Sequence, residues 1–186
     1  MARTPSNMMP LKTKAPSFHL RDTLTGEIRS LEELRGKNGT VIAFICNHCP
    51  FVIHVNAQMT RVAKDALEKG IGFIAISSND VTNYPQDAPH LMKAKAIEEG
   101  YGFPYLYDET QEVAKAYDAA CTPDFYLFDG HLELVYRGQF DDSRPGNGKP
   151  VTGADLTKAI NALLQGNQID EDQKPSIGCN IKWKPA

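Results

Sequence analysis

The 186-residue sequence has no apolar run approaching the ~20 residues that cross a bilayer. It has no block of like charge, no internal repeat and no low-complexity segment. Its formal net charge of −3 leaves no basic excess to point to nucleic acid. Its only four cysteines do not read as a disulfide framework. The opening stretch MARTPSNMMPLKTKAPSF has no apolar segment ahead of a small-residue cleavage site. No signal peptide is therefore expected, and the expected compartment is the cytosol. There thiols stay reduced, and a close cysteine pair is more often catalytic or metal-binding. What is present is ordinary for a globular chain, with 41% hydrophobic and 23% charged residues. The length suits one domain with a sizeable core.

The periodicities divide the chain into residues 1–14, an extended, partly mobile arm; 15–166, the domain; and 167–186, a tail packed on it. SFHLRDTLTGEIRSLEEL reads as two short strands joined at Thr25-Gly26, then a turn of helix. TVIAFIC (residues 40–46) is β-branched and apolar on both faces, as in the middle of a sheet. Val52, Val55, Met59, Val62 and Ala66 then form one apolar helical stripe. Pro50 suits its first position and Gly70 the place after its last. IGFIAIS (residues 71–77) is a second buried strand, completing a βαβ unit. A polar loop leads to a helix expected to be capped near Asp87, with Pro89 in its first turn, ending at Gly100. YLYD reads as a strand and ETQEVAKAYDA as a short helix. DFYLFDGHLELVYRG reads as a hairpin turning at Asp129-Gly130. TGADLTKAINALLQG reads as a helix opened by a Thr152/Asp155 capping box.

Cysteine chemistry concentrates in CNHCPFV, residues 46–52. Cys49 stands where the central strand hands over to a helix N-terminus. Free N–H groups and the helix dipole there favour an anion and pull a thiol from about 8.5 to between about 3.5 and 7.5. That position points to a nucleophilic thiolate rather than an inert loop cysteine. Cys46 ends the strand. Three residues before Cys49 it is placed to pair with it across the turn, or to pack as a small hydrophobe. His48 can stabilise the thiolate or move a proton, or simply face solvent. Cys121 precedes Thr122-Pro123 at the start of the hairpin, where it either resolves an intermediate or packs. Ile177, Cys179, Ile181 and Trp183 alternate with smaller and polar residues, placing Cys179 on the apolar face of an extended tail. Zinc is the rival chemistry, since C-x-x-C is a usual half-site. Cys121 and Cys179 are far apart in sequence and make no second half-site, so no metal is expected. Asp80, Asp141 and Arg144 lie in polar loops that can bind substrate or simply be solvated.

The segments FICNHCPF, CTPDFYLFD, YRGQFDDSRPGN and PSIGCNIKWKP resemble the thioredoxin-like superfamily. More narrowly they resemble its alkyl-hydroperoxide-reductase/thiol-specific-antioxidant (redoxin) branch, in a peroxiredoxin-like subgroup. The resemblance runs from Ala15 onward. It implies an α/β thioredoxin-like fold with a central mixed sheet flanked by helices, an N-terminal β extension and an inserted helix. It also implies that Thr122-Pro123 is a cis bond facing Cys49, with its backbone binding substrate, and that His48 sits where partners touch. With Cys49 as the reactive cysteine, Cys46 holds the place of the peroxiredoxin hydroxyl residue, Ile42 the place of its proline, and the place of its arginine falls near Pro123. The expected function is a thiol-disulfide oxidoreductase using Cys49, with Cys46 as its partner and Cys121 or Cys179 as possible resolving thiols. The alternatives are a thiol peroxidase with an altered pocket and a non-catalytic binding module. No organic cofactor is implied. The expected partners are a disulfide or peroxide substrate and a thiol donor such as a thioredoxin system, without nucleic acid or membrane; an oligomer is possible.

Overall fold

The computed structural model describes residues 3–186. In chain order the elements are β1 (Arg3–Pro5), β2 (His19–Asp22), β3 (Ile28–Ser30), α1 (Leu31–Leu34), β4 (Gly39–Phe44), α2 (Pro50–Glu68), β5 (Ile71–Ser77), α3 (Pro89–Glu99), β6 (Tyr105–Tyr107), α4 (Glu112–Ala116), β7 (Cys121–Thr122), β8 (Asp124–Phe128), β9 (Leu134–Gly138), α5 (Ala154–Leu164) and β10 (Ile177–Asn180). A seven-stranded mixed sheet has the order β3-β2-β6-β5-β4-β8-β9, and a small antiparallel sheet the order β1-β10-β7. No helix among the described residues is long and apolar enough to cross a membrane.

The double-faced apolar run of β4 sits in the middle of the large sheet, every residue buried. Val41, Ala43 and Ile45 join the core beneath α2, α3 and α5. Ile42 and Phe44 join a second core with Leu31 of α1 and Ala114 of α4. α2 begins on Pro50, with Cys49 as its N-cap residue. It is followed by Gly70, whose φ of 76° needs no Cβ. Its buried stripe contains Val52, Val55, Met59 and Val62. Each such side chain contributes about 1.5–3 kcal/mol by leaving water.

Three local expectations change. α3 starts at Pro89 without a side-chain cap, because Asp87, at the end of a 3-10 turn, points inward instead. α5 has no Thr152/Asp155 box. The buried Asp141 carboxylate accepts the Thr152 and Gly153 amides at 2.7 Å each, so those donors are already satisfied. In the tail, Ile181 is buried but Trp183 is 42% exposed, because the strand ends at Asn180 and Lys182 turns inward.

Candidate active site

Register places the site. β8 pairs antiparallel with β4, Phe44 opposite Asp124. Following that register past the ends of the strands brings Thr122 opposite Cys46. The Cys46 Sγ lies 3.7 Å from Thr122 Oγ1. The chain then turns into α2 and brings Cys49 Sγ to 3.2 Å from the Thr122 carbonyl oxygen. The Thr122-Pro123 bond is cis.

The tail adds a third sulfur. β10 pairs with β7, Cys179 opposite Thr122. This puts Cys179 Sγ 2.8 Å from Cys49 Sγ. Cys121, though one residue from Thr122, directs its sulfur toward the Pro123 and Ser176 carbonyls at 3.7 and 4.0 Å. Burial pushes its thiol pKa up.

The three grouped thiols are electrostatically unlike. Cys49 is lowered to about 5, chiefly by a hydrogen bond from Cys46. Burial opposes this; hydrogen bonds from Cys179 and the Thr122 side chain assist it. The Val52 amide in the first turn also helps, although the sulfur closes no full capping bond. The Thr122 carbonyl can only accept a proton, so it favours the neutral thiol. The four donors prevail over this single acceptor. Cys46 is raised, first by its bond to Cys49 and then by burial. Cys179 is raised to about 12, first by burial and then by Cys49. One proton-poor sulfur is thus flanked by two thiols that keep their protons.

Beneath the loop lies Asp87, fully buried. Its carboxylate accepts the Asn47 amide at 2.8 Å, the His48 amide at 3.3 Å and the Asn79 side-chain amide at 2.9 Å. His48 Nδ1 lies 2.6 Å from the same carboxylate and 4.0 Å from Cys46 Sγ. The His48 ring stacks on Tyr84 at 5.7 Å. His48 thus sits on the Cys46 side of the loop. Cys46, His48 and Asp87 place a sulfur, a ring nitrogen and a carboxylate oxygen within 4.8 Å of one another. The His48–Asp87 separation is that of a hydrogen bond.

Behind Pro123, Asp124 is buried and accepts the Ser6 and Tyr126 hydroxyls at 2.8 and 3.3 Å. Burial pushes its carboxyl up to about 7.

Sequence reasoning did not single out Asp87 as a loop anchor, nor Asn79, Asp124 or Gly178. Gly178 carried a usable signal, since a glycine inside an alternating strand marks close backbone approach. The other three carried none, because Asp87 meets Asn47, Asn79 meets Lys182 and Asp124 meets Ser6 only across long stretches of sequence. Asp80, Asp141 and Arg144 are engaged internally. Asp80 holds Thr82 and Asn83. Arg144 donates to the Asp141 and Ser143 carbonyls and to Gln139 Oε1.

The sequence profile of the AhpC/TSA family matches residues 11–137, which hold Cys46, Cys49 and the Thr122-Pro123 corner. The chain belongs to the AhpC/TSA family. No curated protein is similar enough to match it. This AhpC/TSA protein is 59% identical to an uncharacterized conserved protein from Geobacillus kaustophilus, with a TM-score of 0.98 over 100% of this chain and 98% of that one. A hypothetical protein from Sinorhizobium meliloti 1021 is 48% identical, with a TM-score of 0.96 over 98% of this chain and 100% of that one. Peroxidoxin BcpB from Mycobacterium tuberculosis, 18% identical, shares the fold alone, with a TM-score of 0.63 over 87% of this chain and 99% of that one. The α/β fold of this AhpC/TSA protein is thus thioredoxin-like, with helices flanking a central mixed sheet. The match stops at residue 137, so the tail bearing Cys179 lies beyond it.

Proposed function

We propose that the protein is a thiol-disulfide oxidoreductase in which Cys49 is the redox-active nucleophile. The observation that carries this reading is the environment of its sulfur. It sits at the strand-to-helix corner, lowered to about 5, with Cys46 and Cys179 donating hydrogen bonds to it. A thiolate at neutral pH attacks a disulfide sulfur and forms a mixed disulfide, which a second thiol resolves. Cys46 is the neighbour whose proton stabilises the thiolate most. The Thr122 carbonyl oxygen borders the sulfur at 3.2 Å, and the Thr122-Pro123 backbone positions the substrate. Asp87 orders the loop by accepting the Asn47 and His48 backbone amides, and it holds the His48 ring beside them. A thiol system such as a thioredoxin returns the electrons.

One observation favours a thiol peroxidase as the second reading. The Cys46 thiol stands where peroxiredoxins place a hydroxyl, and it donates to Cys49 as that hydroxyl would. A non-catalytic binding module is the third.

A coupled assay with a thioredoxin system separates the three. A small disulfide and an alkyl hydroperoxide are supplied in turn to the full-length protein and to Cys49→Ser. Disulfide turnover that disappears in the variant supports the proposal. Turnover of the hydroperoxide alone transfers it to the peroxidase reading, and turnover of neither leaves a binding module.

A further inference from the structure

We propose that the C-terminal strand is a built-in partner of the reactive site, with Cys179 closing on Cys49 as its resolving thiol and the tail restricting the oxidant to small disulfides. This rests on the reading of Cys49 as the nucleophile. Three independent features bring the tail there.

The first is pairing. β10 lies between β1 and β7, so the Cys121–Thr122 edge beside Cys49 is already hydrogen-bonded to the tail. The second is fit. A Cβ on Gly178 would lie 1.9 Å from the Thr122 carbonyl oxygen and 3.2 Å from the Pro123 nitrogen, so only bare backbone passes there. The third is anchorage. The Lys182 amide donates to Asn79 Oδ1 at 2.9 Å, and the Lys182 carbonyl accepts the Asp80 amide at 2.8 Å and the Gln111 side chain at 2.9 Å. Asn79 in turn donates to Asp87, the carboxylate that holds the Cys46–Cys49 loop. Tail and reactive loop therefore share one polar chain.

Cys49 is fully buried under this arrangement. A polypeptide disulfide cannot reach its sulfur without lifting Gly178 and Cys179, whereas a two- or three-carbon disulfide needs only a small opening. The Cys49 thiolate attacks one sulfur of the small disulfide and expels one thiolate. Cys179 then attacks the Cys49 sulfur and forms the Cys49–Cys179 bond. It expels the second thiolate, which takes the Cys179 proton. The protein loses two electrons and the small disulfide gains them. The two sulfurs, 2.8 Å apart, need to close by less than 1 Å to the ~2.05 Å of a disulfide. Forming the mixed disulfide removes the Cys49 charge, the second cause that holds the proton on Cys179, and opening the tail to admit the oxidant relieves the first, burial. Cys46 is the competing thiol, held in the same short turn as Cys49.

The test uses reduced full-length protein, Cys46→Ser and Cys179→Ser. Each is treated with hydroxyethyl disulfide, quenched in acid, alkylated, digested without reduction and mapped by mass spectrometry. The expected result is a Cys49–Cys179 crosslink in the wild type and in Cys46→Ser, and a persistent mixed disulfide on Cys49 in Cys179→Ser. A Cys46–Cys49 crosslink with Cys179 alkylated overturns the proposal and leaves Cys49 as nucleophile. Cys49 unmodified in all three overturns the underlying reading as well. Reduced wild type cleaving a folded polypeptide disulfide as fast as hydroxyethyl disulfide overturns the restriction to small oxidants.

Discussion

Gly178 stands so close to Thr122 that a Cβ built on it would lie 1.9 Å from the Thr122 carbonyl oxygen. No flexible side chain can give way there, because both partners are backbone. Gly178→Ala therefore pushes the tail off β7. Overpacking of this kind costs about 1–3 kcal/mol, which is roughly five- to 150-fold in the population of the undocked tail. Trp183 is the only tryptophan, and it lies in the tail, so its fluorescence reports undocking directly. Alkylation of Cys49 should accelerate with it. An unchanged alkylation rate would mean that the tail does not guard the sulfur.

Cys49 should titrate as an acidic thiol. Its ionised form absorbs near 240 nm, and reduced protein should gain that absorbance with a midpoint near pH 5 that Cys49→Ser lacks. The largest cause is the Cys46 hydrogen bond. Cys46→Ala should therefore move the midpoint upward, while Cys46→Ser, which keeps a donor, should move it less. A midpoint above pH 8 in the wild type contradicts the electrostatic account.

Much of this site was legible in the chain, and what was hidden has a physical pattern. The unbroken apolar run of β4, the stripe on α2, Pro50 and Gly70 each follow from local rules, and together they place Cys49 at a helix N-terminus. Cys46 opposite Thr122 needed the β4–β8 register, which no local pattern states. Cys179 is 130 residues from Cys49. The alternation around it foretold a strand on an apolar face but not which face. Asp87 read as a helix cap because carboxylates before a helix commonly are. Its actual partners belong to the Asn47-His48 loop and Asn79, and only the folded arrangement brings them over it.

Asp87→Ala should loosen the reactive loop. The substitution leaves the Asn47 and His48 amides, the His48 ring and the Asn79 side chain without their shared acceptor. Stranding buried donors costs about 1–3 kcal/mol each, only partly additively, so a total near 3–5 kcal/mol is expected in urea unfolding. Asp87→Asn keeps one acceptor oxygen and should lose less. Loss of under about 1 kcal/mol in the alanine variant would show that water replaces the carboxylate.

Asp124 predicts a pH slope of opposite sign to that of Cys49. Its carboxyl is raised by burial to about 7 in the folded protein, against about 3.9 unfolded. The folded state therefore holds a proton that the unfolded chain has lost, and stability falls as pH rises from about 4 to about 7, by up to about 1.4 kcal/mol per unit. Cys49, lowered to about 5 against about 8.5 unfolded, gains stability as pH rises from about 5 to about 8.5. Asp124→Asn should remove the first slope alone. The difference in urea midpoint between wild type and variant should widen from pH 4 to pH 7 and then level off. Parallel curves across that window would mean that Asp124 is already ionised in the fold.

The most direct test of the central claim is to locate the first cysteine oxidised. Reduced full-length protein receives one equivalent of a small disulfide, and in a second sample one equivalent of an alkyl hydroperoxide. Both are acid-quenched after seconds, and every cysteine is assigned by peptide mass. The account predicts Cys49 in each early product, as mixed disulfide, sulfenic acid or crosslink. Early oxidation at Cys46, Cys121 or Cys179 with Cys49 still reduced would contradict it.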